Sequence, residues 1–304
     1  MHVYLPIAEM PVNMLVIFLF GGITGVLSGM FGVGGGFLMT PMLIFYGVPA
    51  PVAVASSANQ IIGSSFSGFL THWRRGNVDV ALGAVVIVGG VFGSVAGVAL
   101  FSLLKKMGQI DLVISLCYVT FLGGVGLYMA QESIRALRKK RRGSQEEPNF
   151  DRFHKMPLPF KRRFERSGIE ISVLFPVGIG FFTGILVSLM GIGGGFVMIP
   201  AMIYLLGMPT SVVIGTSLFQ IIFITVAVTF MQAVTTHSVD VVLASIMLVS
   251  AVMGAQIGAR IGSKLPAENL RMILALLVLA VAGKLAFSLF AVPADRYVVE
   301  LIQE

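Results

Sequence analysis

Two short segments of this 304-residue chain could bind a small anion without any charged side chain. They are Gly32-Val33-Gly34-Gly35-Gly36-Phe37-Leu38-Met39-Thr40-Pro41 and Gly191-Ile192-Gly193-Gly194-Gly195-Phe196-Val197-Met198-Ile199-Pro200, identical at seven of ten positions. Each glycine inside a helix costs about 1 kcal/mol relative to alanine, so three in a row favour a break. A helix restarting at Phe37 or Phe196 would present unpaired N–H groups and the positive end of its dipole. In lipid those groups need a partner or a water-lined cavity, and an anion is a good partner. Gly34, Gly35, Gly36 and Phe37, with Gly193, Gly194, Gly195 and Phe196, are therefore candidate substrate-binding positions. The competing explanation is that the glycines only permit close helix crossing; duplication of the break favours a site. A dinucleotide-binding loop is excluded, because no strand–turn–helix pattern surrounds the motif and no ribose-binding acid follows it.

A second constellation follows each break. Ser56 and Gln60 are four residues apart and share a helical face, which Ser64 extends, with Ser57 and Asn59 beside it. Thr216 and Gln220 repeat the pair, with Ser217 adjacent. Hydroxyls and amides are neutral donors that can hold an oxyanion and release it; the alternative role is hydrogen bonding between helices. The ladders Gly89, Gly93, Gly97 and Gly254, Gly258, Gly262 are small faces for helix packing, within a protomer or between copies of a homo-oligomer. His72 and Arg74, at a helix end, could gather anions in a vestibule, although interface anchoring is the default for such residues, as it is for Arg75, Asp79, His237 and Asp240; Lys284 lies deeper and is expected to snorkel. No Asp or Glu falls in the middle of an apolar span, so no carboxylate proton relay is evident. No catalytic motif, metal-ligand pattern or cofactor fingerprint appears, and the lone Cys117 allows no disulfide within the chain. The sequence therefore points to neither an enzyme nor a cofactor.

The elements that must hold these residues are membrane helices. Hydrophobic residues make up 56% of the chain and charged residues 12%, against about 25% charged in soluble domains. Segments of about 20 apolar residues cross a bilayer, and eight qualify: 13–31, 51–72, 78–103, 110–131, 170–190, 210–235, 239–262 and 268–291. The apolar stretches 36–46 and 195–206 are too short and read as half-helices or re-entrant pieces. The expected fold is thus all-α: a polytopic helical membrane protein of about eight spans, with two homologous halves and glycine-broken helices.

The pI of 9.8 is a topology signal rather than a mark of nucleic-acid binding. Twelve of the 21 Lys and Arg lie between Arg135 and Arg166 against four acids, a local charge of +8 that leaves −1 for the rest. Basic residues mark the cytoplasmic side. The expected organisation is a first repeat over 1–134, a basic cytoplasmic loop over 135–168 and a second repeat over 169–304. Four spans before the loop place 104–109 outside, His72–Asn77 inside and the N-terminus inside; Lys105 and Lys106 run against this count. The first eleven residues carry no Lys or Arg, so a cleaved signal peptide is not expected. The repeat extends beyond the glycines: Pro49 matches Pro209, Val78-Asp79-Val80 matches Val239-Asp240-Val241, and Gly93 and Gly97 match Gly254 and Gly258. Repeated membrane halves with a mid-membrane site between them characterise secondary transporters; whether these two run parallel or inverted stays open at this level.

The tandem glycine blocks, the Pro49 and Pro209 helix starts, the Ser56–Gln60 and Thr216–Gln220 helices and His72-Trp73-Arg74-Arg75-Gly76-Asn77-Val78-Asp79 resemble the TauE/SafE family of sulfite and sulfonate exporters. The resemblance covers nearly the whole chain except the basic loop, and the second-half loop Thr235-Thr236-His237-Ser238 departs from it in lacking arginine. It implies seven to nine helices in the plasma membrane and movement of small sulfur-containing anions, with coupling to a proton left open. An anion channel, or a non-transporting scaffold whose basic loop recruits a partner or anionic lipid, are the alternative functions.

Overall fold

The computed structural model describes residues 2–141, 161–164, 166–262, 264–265 and 267–290. Most of the expected basic loop (142–160) and the last residues of the expected second repeat (291–304) lie outside them. A hairpin of β1 (His2–Leu5) and β2 (Met10–Asn13) leads into α1 (Met14–Phe31), α2 (Gly36–Phe45), α3 (Ala50–Arg74) and α4 (Val80–Lys106). Next come α5 (Ile110–Cys117), a π turn (Tyr118–Leu122) and α6 (Gly123–Arg141). The second half repeats the order with β3 (Lys161–Phe164), β4 (Ile169–Ser172), α7 (Leu174–Met190), α8 (Gly195–Pro200) running on as a π turn (Ala201–Leu205), α9 (Thr210–Thr235), α10 (Val241–Gly262) and α11 (Ala267–Phe290). Among the described residues six helical runs are both long and apolar enough to span a membrane; α3 is 25 residues long but carries many polar side chains, and α7 has 17 residues. The all-α class thus holds, with six spans by length and composition against the expected eight.

Local sequence sets the ends. Asn13 caps α1 by accepting from the Leu15 amide at 3.0 Å, and Gly32 ends it at φ 72° with its amide on Ser28 O. Pro49 and Pro209 precede α3 and α9, where a missing N–H costs nothing. The short α2 does not cross. Its start packs on α1 near Thr24, Met39 lies within reach of the Thr24 hydroxyl, and Tyr46 Oη accepts from the Asn13 amide. The chain therefore returns to the end from which α1 departed. This corrects the expected placement of the N-terminus. Asn13 lies at the end of the bundle opposite the β3–β4 hairpin, because α1 and α2 form a re-entrant pair that adds no crossing.

The same parity makes the repeats inverted. Helices α3 and α9 run antiparallel, with Gly68 against Leu218 and Gly215 against Asn77 and His72. The halves are also exchanged. Helix α1 packs on α10 and α4 packs on α7, each pair joining one half to the other. Glycine makes both contacts possible: a β-carbon on Gly25 would lie 2.6 Å from Ala251 Cα, and one on Gly184 would lie 2.8 Å from the Ser94 amide nitrogen. The ladders Gly89–Gly97 and Gly254–Gly262 serve this intramolecular packing.

Gly25→Ala and Gly184→Ala should each lower the thermal midpoint of the purified protein by the equivalent of about 1–3 kcal/mol, since backbone must move to admit the methyl group. Gly178→Ala, in the same helix as Gly184 but with nothing within 4 Å of its would-be methyl, should leave the midpoint unchanged or raise it by up to about 1 kcal/mol. Thermal melts monitored by helical circular dichroism check both.

Candidate functional site

The two glycine segments are true breaks. Gly32, Gly34 and Gly35 have φ of 72°, 90° and 75°, and Gly191, Gly193 and Gly194 have 65°, 73° and 73°, values that only glycine adopts freely. Each new helix starts on its third consecutive glycine with no side-chain cap. The first backbone bonds into α2 run from the Leu38 and Met39 amides to Gly35 O, and those into α8 from the Val197 and Met198 amides to Gly194 O. The amides of Gly36, Phe37, Gly195 and Phe196 are thus left outside backbone bonding. The two breaks meet: a β-carbon on Gly36 would lie 2.9 Å from Ile192 Cα, and one on Gly195 would lie 2.6 Å from Val33 O. Ile61 of α3 packs on Gly34, Gly36 and Gly193, and Ile221 of α9 on Gly195, each near the middle of its helix.

The polar residues of α3 and α9 divide into two groups. Ser56 Oγ accepts from the Asp240 amide at 3.1 Å and Thr216 Oγ1 accepts from the Asp79 amide at 2.9 Å. Ser217 Oγ donates to Gly32 O at 3.1 Å. These three candidates tie one repeat to the other. Gln60 and Gln220 face inward and are fully buried. Gln60 Nε2 makes one long bond of 3.4 Å to Thr24 Oγ1, its Oε1 has no partner, and both amide atoms of Gln220 are unpartnered. The buried Ser57 hydroxyl is also unpartnered. Asn59 is half-buried and no hydrogen bond ties it to the breaks among the described residues.

The structure adds residues that spacing alone did not single out. Thr24 and Ser28, an i,i+4 pair on α1, face Gln60 and Ser64; Ser28 Oγ and Ser64 Oγ are 3.4 Å apart, and Ser64 Oγ is 3.4 Å from Gly34 O. Ser65 and Thr40 add buried hydroxyls without partners. Val187 and Ile224 stand in the second repeat where Ser28 and Ser64 stand in the first, while Thr24 and Ser65 keep hydroxyl counterparts in Thr183 and Thr225. The Thr24/Ser28 spacing was a readable signal, hidden because single hydroxyls are common in apolar helices.

Asp79 and Asp240 correct the expectation of interface anchors. They are 3% and 0% exposed. Each caps a helix, accepting from the Leu82 and Leu243 amides at 3.0 Å. The second oxygen of Asp79 accepts from the Ser167 amide and hydroxyl, and that of Asp240 from the Ile7 amide. Each carboxylate thereby docks the β-hairpin of its neighbouring repeat.

The two ends of the bundle differ. At the end carrying β3–β4, a cavity of about 250 Å³ lies between the halves, lined by His72, Arg75 and Asn77 at its mouth and reaching Phe31, one residue before the first break. His72 Nδ1 has no partner there. Arg75, rather than the expected Arg74, joins His72 in this vestibule; Arg74 lines a separate outer groove. At the opposite end Gln232 Nε2 donates to Ser188 O at 2.9 Å, and Lys105 Nζ donates to Thr236 O and Ser238 Oγ at 2.9 and 2.8 Å. Lys284 does not reach the breaks; its Nζ lies 4.3 Å over the Phe45 ring. No group of three residues able to hold a metal occurs among the described residues.

Inverted repeats that bring two broken helices together at mid-depth define a polytopic membrane transporter architecture. Known sequences agree. The family model for the sulfite exporter TauE/SafE matches residues 17–285, and the chain belongs to that family. Similar proteins include the probable membrane transporter proteins YjnA of Bacillus subtilis, 28% identical with 88% of this chain and 98% of that protein covered, and MJ0441 of Methanocaldococcus jannaschii, 25% identical with 84% and 88% covered. A Xylella fastidiosa probable membrane transporter protein is 28% identical, with 86% of this chain and 90% of that protein covered. No solved structure gives a significant match.

Asp79→Ala and Asp240→Ala should each lower the thermal midpoint by the equivalent of about 2–3 kcal/mol, from a lost helix cap and from hairpin amides left without an acceptor. Asp79→Asn, which keeps an oxygen for the Leu82 amide, should lose less; equal losses would place the contribution in charge rather than capping.

Proposed function

We propose that this transporter carries a small oxyanion, sulfite or an organosulfonate, bound where the two glycine breaks meet. The observation that carries the reading is the pair Gln60 and Gln220, buried with unpaired amide atoms and next in sequence to Ile61 and Ile221, which pack on the breaks. An unpaired buried amide costs about 1–3 kcal/mol, and a polar ligand offsets that cost. The free amides of Gly36, Phe37, Gly195 and Phe196 and the positive ends of α2 and α8 supply the attraction for negative charge. Ser57, Ser64 and Ser65 add neutral donors, so the anion is held without a counter-charge that would retain it. Gly34, Gly35, Gly193 and Gly194 contribute by letting the backbone approach.

In this reading the end with His72, Arg74, Arg75, Arg162, Arg163 and Arg166 faces the cytoplasm, in keeping with the positive-inside preference, and the N-terminal hairpin faces outward. The vestibule then opens to the cytoplasm, with Arg75 and His72 gathering anions. The hydrogen bonds that tie the outer end, Lys105 to Thr236 and Ser238 and Gln232 to Ser188, support a carrier over a channel, and exchange of the two ends by the related halves would move the cargo.

The test is sulfite binding and proteoliposome flux. Gln60→Ala and Gln220→Ala should each weaken affinity roughly 10- to 100-fold, the scale of a hydrogen bond to a charged group, while leaving the thermal midpoint unchanged or higher. Unchanged affinity in both variants removes these helices from the site, and saturation by sulfate, sulfite and sulfonates alike would replace the sulfur-anion assignment with a general oxyanion one.

A further inference from the structure

The outer groove beside the vestibule is a candidate binding site of a different kind. It has a volume of about 600 Å³ and is lined by Trp73, Arg74, Val80, Arg162, Arg163 and Arg166, among others. The last turn of α3 supplies Trp73 and Arg74, and β3 and the β3–β4 turn supply the other guanidinium groups. Arg166 is committed: its Nη1 donates to Gly76 O at 2.7 Å and holds the hairpin against the α3–α4 turn. Arg74, Arg162 and Arg163 are exposed. Among the described residues Asp79 is the one carboxylate lining the groove, and its oxygens are already taken by Leu82 and Ser167. Glu170 lies opposite Arg163 in the ladder but makes no ion pair with it among the described residues.

The groove opens onto an apolar surface. Trp73 is 52% and Val80 42% exposed. Below Trp73 a row of rings descends α3 and crosses to α9: Trp73 to Phe69 at 5.4 Å, then Phe69 to Phe219 at 5.6 Å. Positive charge at the top of a lipid-facing aromatic row matches a phospholipid, with its phosphate among the guanidinium groups and its chains along the rings.

The inverted repeat supplies an internal control. The opposite end carries the same hairpin, docked on Asp240 as β3–β4 is on Asp79. There the positions of Arg162 and Arg163 are Val3 and Tyr4, and those of Trp73 and Arg74 are Ala233 and Val234. One end folds without the arginines, so the fold does not require them at the other. We propose that this groove binds the headgroup of an anionic phospholipid in the leaflet on the β3–β4 side.

The experiment titrates the full-length, detergent-solubilised protein with phosphatidylglycerol or phosphatidylcholine and counts bound lipid by native mass spectrometry. The wild type should prefer phosphatidylglycerol. The triple variant Arg74→Gln, Arg162→Gln, Arg163→Gln should bind it on the order of 100-fold more weakly, at about fivefold per guanidinium, with phosphatidylcholine binding unchanged. The control triple Arg138→Gln, Lys139→Gln, Lys140→Gln removes the same charge elsewhere and should leave phosphatidylglycerol binding intact. Equal losses in both triples would reduce the effect to diffuse charge and overturn the site. So would the absence of any preference for the anionic lipid, or displacement of the lipid by millimolar inorganic phosphate, which would make the groove a free-anion site. Should the first triple fail to fold, Arg163→Gln alone should weaken binding about fivefold, and unchanged affinity there overturns the proposal equally.

Discussion

A peptide group in hydrocarbon must find a hydrogen-bond partner, and every interrupted membrane helix leaves several that have none. Much of this protein's architecture answers that constraint. The interruptions after Phe31 and Met190 are not spread through the bilayer but brought against one another, wrapped by α3 and α9, with Ile61 and Ile221 sealing them from the sides. What is left over is a small set of amide groups and two buried glutamines at the centre of the molecule. A protein core would normally pair such groups; here they are left unpaired.

Holding the breaks together requires the halves to interlock. Helix α1 belongs by sequence to the first repeat but packs on α10 of the second, and α7 packs on α4. Because Gly25, Gly184 and their neighbours bring backbone against backbone, each cross-pair is better described as a rigid unit than as a soft contact. The side-chain ties follow the same pattern: Ser56 to Asp240, Thr216 to Asp79 and Ser217 to Gly32 all join opposite halves. The two ends of the α3–α9 crossing, one with a cavity beside His72 and Arg75 and the other tied by Lys105 and Gln232, differ from one another.

That difference separates what the frame needs from what has been added to it. Aspartates capping α4 and α10 and the hairpins docked on them occur at both ends. The arginines occur at one. The hydroxyls of Ser28 and Ser64 occur in one half, against Val187 and Ile224 in the other. Features kept in both copies hold the structure; features in a single copy make the two ends and the two halves unequal.

Much of this was legible in the residues alone. Apolar run length specified helices, consecutive glycines specified where they would break, and identity at a near-constant offset specified two equivalent halves, because each is a local property of chain chemistry. The orientation of those halves was not. Whether a ten-residue helix returns beside α1 or continues across is a matter of packing against Thr24 and Tyr46, and it moves the N-terminus to the end opposite the β3–β4 hairpin while His72–Asn77 stay at the hairpin's end, as expected. The roles of Ser56 and Gln60 looked alike on a helical wheel; only the approach of Asp240 to one and not the other divided them into tie and ligand candidate. The hairpins were invisible because four-residue strands carry almost no periodicity, and Asp79 and Asp240 read as surface charges because burial of a carboxylate depends on amides contributed from elsewhere in the chain, including Ser167 and Ile7 far off in sequence. Sequence settled which groups are present and which segments are helical; tertiary structure decided which polar groups are satisfied, since a partner 88 or 233 residues away leaves no mark on local pattern.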